Sequence, residues 1–334
     1  MILITGGTGL LGSHLLYALV NKGEKVRALR RAGADMTGLE KVFSYYRAND
    51  LVSKIEWVSG DILDVCSLED AMKDVDTVYH CAALVSFDKK QASLMMKTNV
   101  EGTANVVNVC LDKKIKKLCY VSSVAALGEA DEKKETDENS TWKSSPDNSD
   151  YAISKYSAER EVWRGIEEGL NAVIVNPSVI IGAGDINKSS LQMFRLAKKG
   201  IEFYSAGKTG FVDVRDVVKA MTQLTESNIS NERFIISAEN VSYKDFYSAA
   251  AKCFGNKPPY IKVSRLMCET SRVLSAAKAV VKGKRPSLTK DLVKIACAKA
   301  NFSNNKIKDA LKLEFIPLQD SVREVCEFVK NSVQ

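Results

Sequence analysis

A glycine-rich turn near the start of the chain constrains the fold more than any other feature. The segment Thr5-Gly6-Gly7-Thr8-Gly9-Leu10-Leu11-Gly12 follows a short apolar run and opens a stretch with apolar residues at helical spacing. Glycine permits a tight turn, close approach of the backbone to a pyrophosphate, and close contact between helix and strand. The N–H groups and positive end of the following helix attract phosphate. This strand–turn–helix setting predicts a dinucleotide-binding unit. The expected cofactor contacts here are Gly6, Thr8, Gly9, Leu10, Leu11 and Gly12.

Short β-branched runs alternate with longer helical patterns over the first two thirds of the chain. The predicted strands cover residues 2–5, 25–29, 55–58, 77–81, 117–122, 172–176 and, later, 233–237. The predicted helices include residues 9–21, 89–113 and 150–168. This alternation predicts an α/β chain with a Rossmann-type, doubly wound parallel sheet covered by helices on both faces.

The rest of the chain does not continue this rhythm. Residues 129–149 are acidic and rich in Ser and Asn, and therefore predict a surface loop. Residues 185–210 and those after 240 look mostly helical, and we expect a smaller C-terminal substrate lobe over the sheet's carboxyl edge. The predicted division is 1–176 plus about 211–238 for the dinucleotide-binding domain, and about 177–210 plus 239–334 for the substrate-binding lobe.

The formal charge is +7, and its excess lies late in the chain. Between Lys252 and Lys312 the only acids are Glu269, Asp291 and Asp309. The basic stretch is either a solvated face or an attraction for an anionic substrate, cofactor or membrane surface. No nucleic-acid-binding module accompanies it, so we expect no nucleic acid partner.

Several features bear on compartment and metal content. The eight cysteines are scattered without a CxxC pair, which favours reduced, buried side chains. His14 and His80 have no partner at metal-ligand spacing, so we expect no metal site. No apolar run approaches roughly 20 residues, so we expect no transmembrane segment. The first residues lead directly into the glycine turn without a secretory signal, and we expect a cytoplasmic protein.

The end of the second predicted strand bears on cofactor choice. An acid at this point binds the adenine ribose hydroxyl, whereas a base accommodates a 2′-phosphate. The segment Val26-Arg27-Ala28-Leu29-Arg30-Arg31 has no acid, so we expect NADP with Arg30 and Arg31 at the phosphate. The alternative is NAD, with both arginines covering only the adenine face or facing solvent.

Two further strand ends are expected at the dinucleotide. Asp61 and Ile62 follow the third strand, where a carboxylate can accept the adenine amino group. Cys81, Ala82 and Ala83 lie at the end of the fourth, where small side chains let a dinucleotide lie across the sheet edge. An Asp after a strand is also a common helix cap.

Tyr151 and Lys155 are four residues apart and therefore share a helix face. Free tyrosine has a pKa near ~10, and a neighbouring ammonium lowers it toward a useful acid–base range. The same lysine can hydrogen-bond a nicotinamide ribose. This spacing is common on surface helices, so its meaning depends on Tyr120-Val121-Ser122-Ser123, where a strand-end hydroxyl can reach a carbonyl.

Taken in order, these motifs resemble those of the extended short-chain dehydrogenase/reductases. This branch contains NAD-dependent epimerases/dehydratases and dihydroflavonol-reductase-like enzymes. The resemblance covers at least residues 1–240, and the matching segments are TGGTGLLG, VRALRR, SGDILD, HCAA, TNVEGT, YVSSVAALG, YAISK and NPSVIIGAG.

The resemblance implies site residues and an assembly. It implies a catalytic triad of Ser123, Tyr151 and Lys155, with Ser122 as the alternative serine and Asn99 in a supporting proton relay that also lies at the cofactor. The residues implied along the nicotinamide are Val121, Asn176, Pro177, Ser178 and Val179. It also implies a possible homodimer through the helices at 89–113 and 150–168.

Three functions remain open at this point. We favour a reductase for a small-molecule carbonyl or alcohol, because the strand ending in Arg30 and Arg31 suggests NADP. A sugar-nucleotide epimerase with NAD is the alternative, and a dinucleotide-sensing protein without turnover is the third. Dehydration is disfavoured because Ser123 is followed by Val124-Ala125-Ala126 rather than an acid/base pair. Candidate pocket-lining side chains are Phe87, Leu127, Ile181, Met193, Phe203 and Phe211.

Overall fold

The elements of the chain follow the predicted alternation of strands and helices. The computed structural model describes residues 1–128, 135–281 and 289–331. The strands are β1 Ile2–Thr5, β2 Val26–Arg30, β3 Glu56–Ser59, β4 Thr77–His80, β5 Lys117–Val121, β6 Ala172–Pro177, β7 Val179–Ile181, β8 Phe203–Ser205, β9 Lys208–Asp213, β10 Glu232–Ile236, β11 Glu239–Ser242 and β12 Ile261–Val263. The helices are α1 Leu10–Asn21, α2 Thr37–Tyr45, α3 Val65–Ala71, α4 Ala92–Met96, α5 Gly102–Asp112, α6 Asp150–Glu167, α7 Gln192–Lys199, α8 Val214–Glu226, α9 Tyr243–Cys253, α10 Arg265–Val281, α11 Lys290–Cys297, α12 Asn305–Leu311 and α13 Leu318–Asn331. A π-helical segment, Lys97–Glu101, joins α4 to α5.

Seven parallel strands form the central sheet, in the order β10-β6-β5-β4-β1-β2-β3. All six residues of β6 are buried, as expected for an apolar strand covered on both faces. One face packs against residues of α1, α2 and α8, and the other against residues of α3, α5 and α6. The predicted Rossmann-type α/β fold is confirmed.

The late predicted strand joins this sheet. It runs over Glu232–Ile236 as β10 and lies parallel to β6 at the edge. The earlier predicted strands appear within one residue of their predicted ends, because continuous apolar runs bounded by polar residues define both their type and their length.

The smaller lobe contains five short strands that the sequence did not predict. β11, β9 and β7 form a three-stranded sheet, and β12 pairs with β8. Between them, α7, α9 and α13 enclose a core in which Phe211 stacks on Phe246 at a ring separation of 4.8 Å. Ile181 and Phe211 are fully buried there, so they belong to the core and not to a pocket.

Two findings bear on the expectations about membrane spans and cysteines. None of the helices in the described ranges is long and apolar enough to cross a bilayer. All eight cysteines are free thiols, and Cys110, Cys119 and Cys326 are buried.

The topology brings the predicted site residues to one edge of the sheet. The carboxyl ends of parallel strands meet at the same edge, where open α/β sheets bind their ligands. The glycine turn leaves β1 there, Cys81 follows β4, and Ser122 follows β5.

Candidate active site

The glycine turn lies against the chain that leaves β4. Gly6 has a φ of 72°, and a Cβ on it would lie 2.5 Å from the Ala82 nitrogen. A Cβ on Gly12 would lie 2.2 Å from the Gly6 carbonyl oxygen. Gly9 precedes α1 as its N-cap without any side-chain hydrogen bond. The start of α1 therefore presents backbone N–H groups in a cradle that side chains would fill, which fits a dinucleotide pyrophosphate.

A buried histidine at the end of β4 holds this cradle together. His80 Nδ1 lies 2.6 Å from Thr5 Oγ1, and His80 Nε2 lies 3.0 Å from Thr103 Oγ1. The Ala82 N–H donates to Thr5 Oγ1 at 3.3 Å. Burial, reinforced by the charge of Lys155, lowers the pKa of His80 to about 3. The imidazole is therefore neutral and links β1, β4 and α5. The sequence offered no signal for this role, because the two threonines are far away along the chain.

The two arginines predicted at the adenine end lie at an exposed strand end. The Arg30 guanidinium lies 5.3 Å from the centre of the Trp57 ring, and Arg31 is exposed. The next acid, Asp35, forms an ion pair with Lys188 and accepts a hydrogen bond from the Thr37 N–H.

The two residues predicted at the adenine after β3, Asp61 and Ile62, also have structural contacts. Asp61 Oδ1 accepts a hydrogen bond from the Leu63 N–H at 3.0 Å, which forms a turn. Ile62 is buried, and its side chain packs against Gly102. A Cβ on Gly102 would lie 2.6 Å from Ile62 Cδ1.

Tyr151 lies in the first turn of α6, beside the end of β5. Ser149 caps this helix through a hydrogen bond from the Ala152 N–H at 3.1 Å. The Tyr151 ring packs edge-on against Phe87, at 5.9 Å between centres. Burial raises the pKa of Tyr151, and a hydrogen bond with Ser123 opposes that rise. The expected lowering by Lys155 is therefore wrong for this arrangement, because burial of the phenol outweighs every favourable contact.

The Lys155 ammonium points at the end of β5. Its Nζ donates to the Val121 carbonyl oxygen at 2.7 Å and to Tyr120 Oη at 3.2 Å. Burial lowers the pKa of Lys155 to about 8, and the charge of Glu159 opposes that shift. A buried lysine whose pKa lies this close to neutral pH is characteristic of functional sites. Tyr120 as its anchor was not predicted.

The two serines after β5 have different partners. The Ser122 hydroxyl is buried and donates to Glu159 Oε2 at 2.6 Å. Ser123 accepts a hydrogen bond from the Ala125 N–H at 3.1 Å, and its side chain is also hydrogen-bonded to Tyr151. Only Ser123 of the pair therefore contacts the tyrosine.

Glu159 lies one turn beyond Lys155 and organises a buried network. Oε2 accepts from Ser122 and from Asn176 Nδ2, the latter at 2.8 Å. Oε1 accepts from Arg233 Nη1 at 3.1 Å and from Trp163 Nε1 at 3.3 Å. Four donors thus satisfy a nearly inaccessible carboxylate. The recurrence of Tyr151, Lys155 and Glu159 every four residues was a signal available in the sequence.

Asn99 lies in the π-helical segment between α4 and α5. Its Oδ1 accepts from the Leu84 N–H at 2.7 Å, and its Nδ2 donates to the Leu84 carbonyl at 2.9 Å. Nδ2 also donates to Ser154 Oγ on α6 at 3.0 Å. The side chain therefore fixes the strand-end loop after Ala83 against the helix that carries Tyr151.

The segment after β6 leaves the central sheet beside these groups. Pro177 ends β6, the Ser178 N–H donates to the Ile236 carbonyl at 3.1 Å, and Val179 begins β7. Asn176 donates to the Ser123 carbonyl at 3.0 Å, while its Oδ1 is buried without a hydrogen-bond partner among the described residues. This free acceptor fits a polar ligand group at the same edge.

Comparisons with known proteins agree with this geometry. A model of the NAD dependent epimerase/dehydratase family matches residues 2–237. The chain is 27% identical to a putative dihydroflavonol 4-reductase from Synechocystis, over 98% of this chain and 94% of that protein. It is 30% identical to tetraketide alpha-pyrone reductase 2 from Arabidopsis thaliana, over 77% and 83%. The solved structure of gox2253 superposes with a TM-score of 0.82 at 30% identity, covering 99% of this chain and 98% of that one.

Proposed function

The chain belongs to the NAD-dependent epimerase/dehydratase family, and we propose that it reduces a carbonyl compound with NADP(H). The family consists of NAD(P)-dependent enzymes of the extended short-chain dehydrogenase type, so redox chemistry at a nicotinamide is common to its members. The reductase proposal is supported by the reductase names of the relatives and by Arg30, the last residue of β2, with the adjacent Arg31.

The cofactor residues follow the strand ends. The glycine turn would hold the pyrophosphate, Arg30 and Arg31 the 2′-phosphate, and Asp61 with Ile62 the adenine. The residues we assign to the nicotinamide half are Cys81, Ala82, Ala83, Asn99, Val121, Tyr151, Lys155, Pro177, Ser178 and Val179. When bound, NADPH supplies a hydride for the carbonyl carbon.

The protein's own groups handle the oxygen and the proton. Ser123 donates a hydrogen bond to the carbonyl oxygen and polarises it. Tyr151 transfers its phenolic proton to that oxygen as the alcohol forms, and water returns a proton to the tyrosine. We assign the Lys155 ammonium to the nicotinamide ribose, which it would hydrogen-bond from its position at the end of β5. Asn99 supports this proton path from its fixed position beside α6.

A single observation carries the choice of NADP(H). Arg30 at the end of β2 and the adjacent Arg31 are both exposed, and the nearest following acid, Asp35, is already in an ion pair. A charge-assisted contact of each arginine with a 2′-phosphate contributes about 1.5–3 kcal/mol. We therefore expect kcat/KM with NADPH to exceed that with NADH by about 100-fold or more.

Steady-state kinetics with both cofactors tests this preference. The double variant Arg30→Ala/Arg31→Ala should lose most of the NADPH preference, chiefly through a higher KM for NADPH. Lys25→Ala, at the opposite end of β2, is the matched control and should keep it. Faster turnover with NADH in the native protein would refute the NADP assignment.

The epimerase alternative makes a different demand on the same site. It requires NAD that stays bound while a sugar nucleotide is oxidised and reduced again on its other face. Conversion of a UDP-sugar without net consumption of cofactor would favour it over the reductase. Binding without turnover, the third alternative, is disfavoured because Tyr151, Lys155 and Ser123 are all present at one strand end.

We also propose a cytoplasmic location and a homodimer. The eight free thiols support a reducing compartment. The dimer would form through the helical stretch 89–113 and through 150–168, and light scattering at about twice the chain mass of 36.7 kDa would support it.

A further inference from the structure

The small lobe carries a group of exposed apolar side chains on neighbouring elements. They are the apolar patch: Phe203, Tyr260, Leu266, Met267, Val273 and Ile295. Leu266 is 74% exposed and Tyr260 is 63% exposed. Phe203 lies on β8, which pairs with β12, and Tyr260 directly precedes β12. Leu266, Met267 and Val273 lie on α10, which follows β12 in the chain and contacts α11, the helix that carries Ile295. Concentration of large exposed apolar groups in one region marks an interaction surface.

The part of the sequence that contains most of the apolar patch is strongly basic. The stretch from Lys252 to Lys312 has fifteen Lys and Arg against three Asp and Glu, a local charge of +12 in a chain whose total is +7. The remaining residues together are therefore net negative. Lys257, Lys262 and Arg265 flank the patch and are exposed, and no acid in the described residues forms an ion pair with them.

A helix with both apolar and basic side chains matches the two regions of a membrane surface, the acyl chains and the charged headgroups. Apolar residues enter the boundary of the acyl chains, while Lys and Arg meet the phosphates of anionic lipids. α10 begins with Arg265, Leu266 and Met267, which place both types in its first turn. We propose that the small lobe docks peripherally on an anionic phospholipid bilayer through the apolar patch and its flanking basic residues.

The positive charge beside the apolar patch favours an anionic bilayer over a second copy of the chain or a nucleic acid. A second copy of the chain would cover the apolar groups but would bring a lobe of the same strong positive charge against this one. A nucleic acid would meet the charge but not the exposed aliphatic side chains. A bilayer with anionic headgroups satisfies both.

The helix α11, which carries Ile295 of the apolar patch, also contacts the loop that precedes α6. On α11, Lys294 Nζ donates to the Asp147 carbonyl at 2.9 Å, and Lys290 lies 3.8 Å from the Asp147 carboxylate. Asp147 precedes Tyr151 by four residues, so docking places the start of the catalytic helix near the bilayer. Supply of a carbonyl compound from the bilayer follows only if the proposed reductase function holds. The docking itself does not depend on it.

Vesicle sedimentation with the full chain tests the proposal. We expect the protein to pellet with vesicles of phosphatidylcholine and phosphatidylglycerol, but not with phosphatidylcholine alone, and to be released by high salt. Lys257→Glu/Lys262→Glu/Arg265→Glu should weaken binding about tenfold or more, because each cation near the surface contributes. Leu266→Ser/Met267→Ser should weaken it similarly by removing inserted apolar area.

Matched controls separate this surface from general effects. Lys25→Glu/Lys54→Glu/Lys113→Glu makes the same change of net charge elsewhere, and Val65→Ser removes an exposed apolar group from α3. Both should retain binding. Absence of binding to the anionic vesicles, or equal loss in the controls, would overturn the proposal. So would a native dimer that Leu266→Ser/Met267→Ser converts to monomer, because the patch would then serve a second copy. No enzyme assay enters the test, so its failure is distinct from failure of the proposed reaction.

Discussion

At the scale of single residues, burial governs the chemistry of the candidate site. It raises the pKa of Tyr151 and lowers the pKa of Lys155 to about 8. Both shifts favour the neutral form, since a low-dielectric environment disfavours charge. The opposing influence on Lys155 comes first from Glu159, one helical turn away. We therefore regard Glu159 as a positioning residue that keeps the lysine protonated and anchors Ser122 beside Ser123.

Glu159→Gln tests this role. Loss of the negative charge should lower the pKa of Lys155 further, so the basic limb of the pH–rate profile should move about one pH unit toward acid. The variant should also lose roughly 2–4 kcal/mol of unfolding free energy, because Arg233 loses its buried partner. Stopped-flow or steady-state rates between pH 6 and 10 measure the shift.

Glu167→Gln, at the exposed end of the same helix, is the control for removal of a carboxylate. It should leave both the profile and the stability unchanged. A purely structural role for Glu159 predicts a loss of stability with the basic limb of the profile unmoved, and that result would contradict the positioning role.

At the scale of elements, the glycine turn depends on two backbones that approach within contact distance. Gly12→Ala would place a methyl group 2.2 Å from the Gly6 carbonyl oxygen, so the turn must open. We expect this variant to lose most of the thermal stabilisation by NADPH, with an affinity about 100-fold weaker or worse, because the turn no longer fits the pyrophosphate.

Gly38→Ala is the matched control for the turn. Its Cβ would lie 3.5 Å from the Thr8 carbonyl oxygen, an ordinary contact, and Gly38 lies inside α2. Alanine should stabilise that helix by about 0.5–1 kcal/mol and leave the NADPH-induced shift intact. Undiminished NADPH binding by Gly12→Ala would contradict the assigned role of the turn.

The same elements show what the sequence can and cannot predict. The central strands were predictable because each is a continuous apolar run with polar ends. The helix predicted over 89–113 is interrupted by the π segment Lys97–Glu101, which no local pattern indicated. Asn99 in that segment bonds both backbone groups of Leu84, a partner fixed by the fold rather than by spacing. The short strands of the small lobe, such as β8, were missed because three residues leave no periodic signal.

Some residues of the candidate site were also predictable from the sequence, and others were not. Tyr151, Lys155 and Ser123 were predictable from spacing and from the end of β5. Tyr120 and His80 as partners were not, because their contacts join residues 35 and 75 positions apart. The direction of the Tyr151 pKa shift was predicted wrongly, since burial depends on packing that the motif does not encode.

At the scale of the whole molecule, buried histidines link stability to pH. Burial lowers the pKa of His14 to about 4 and that of His80 to about 3, whereas unfolded histidine titrates near ~6.5. Between these values the unfolded chain binds more protons, so each histidine makes stability fall as pH falls below about 6.5. Asp216, whose pKa burial raises to about 6, acts in the opposite direction, and Glu138 with its raised pKa does likewise.

Replacement of one histidine should therefore change how steeply the free energy of unfolding depends on pH. For His14→Gln, the loss of unfolding free energy between pH 6 and 4.5 should be smaller by about 1.4 kcal/mol per pH unit than in the native protein. Denaturant titrations across this range measure it. Tyr46→Phe removes the hydroxyl that lies 2.8 Å from His14 Nδ1 but keeps the imidazole, so it should retain the native slope. Identical slopes for His14→Gln and the native protein would contradict the account.

Transfer of deuterium tests the central claim, reduction of a carbonyl with Tyr151 as the proton donor, most directly. The protein is incubated with NADPH deuterated at the reactive carbon of the nicotinamide and with a panel of ketones and aldehydes, and the products are analysed by mass spectrometry. The account predicts one deuterium at the new carbinol carbon, with kcat reduced about 100-fold or more in Tyr151→Phe while NADPH still binds. Conversion of sugar nucleotides with NAD, without deuterium transfer to any carbonyl compound, would contradict it.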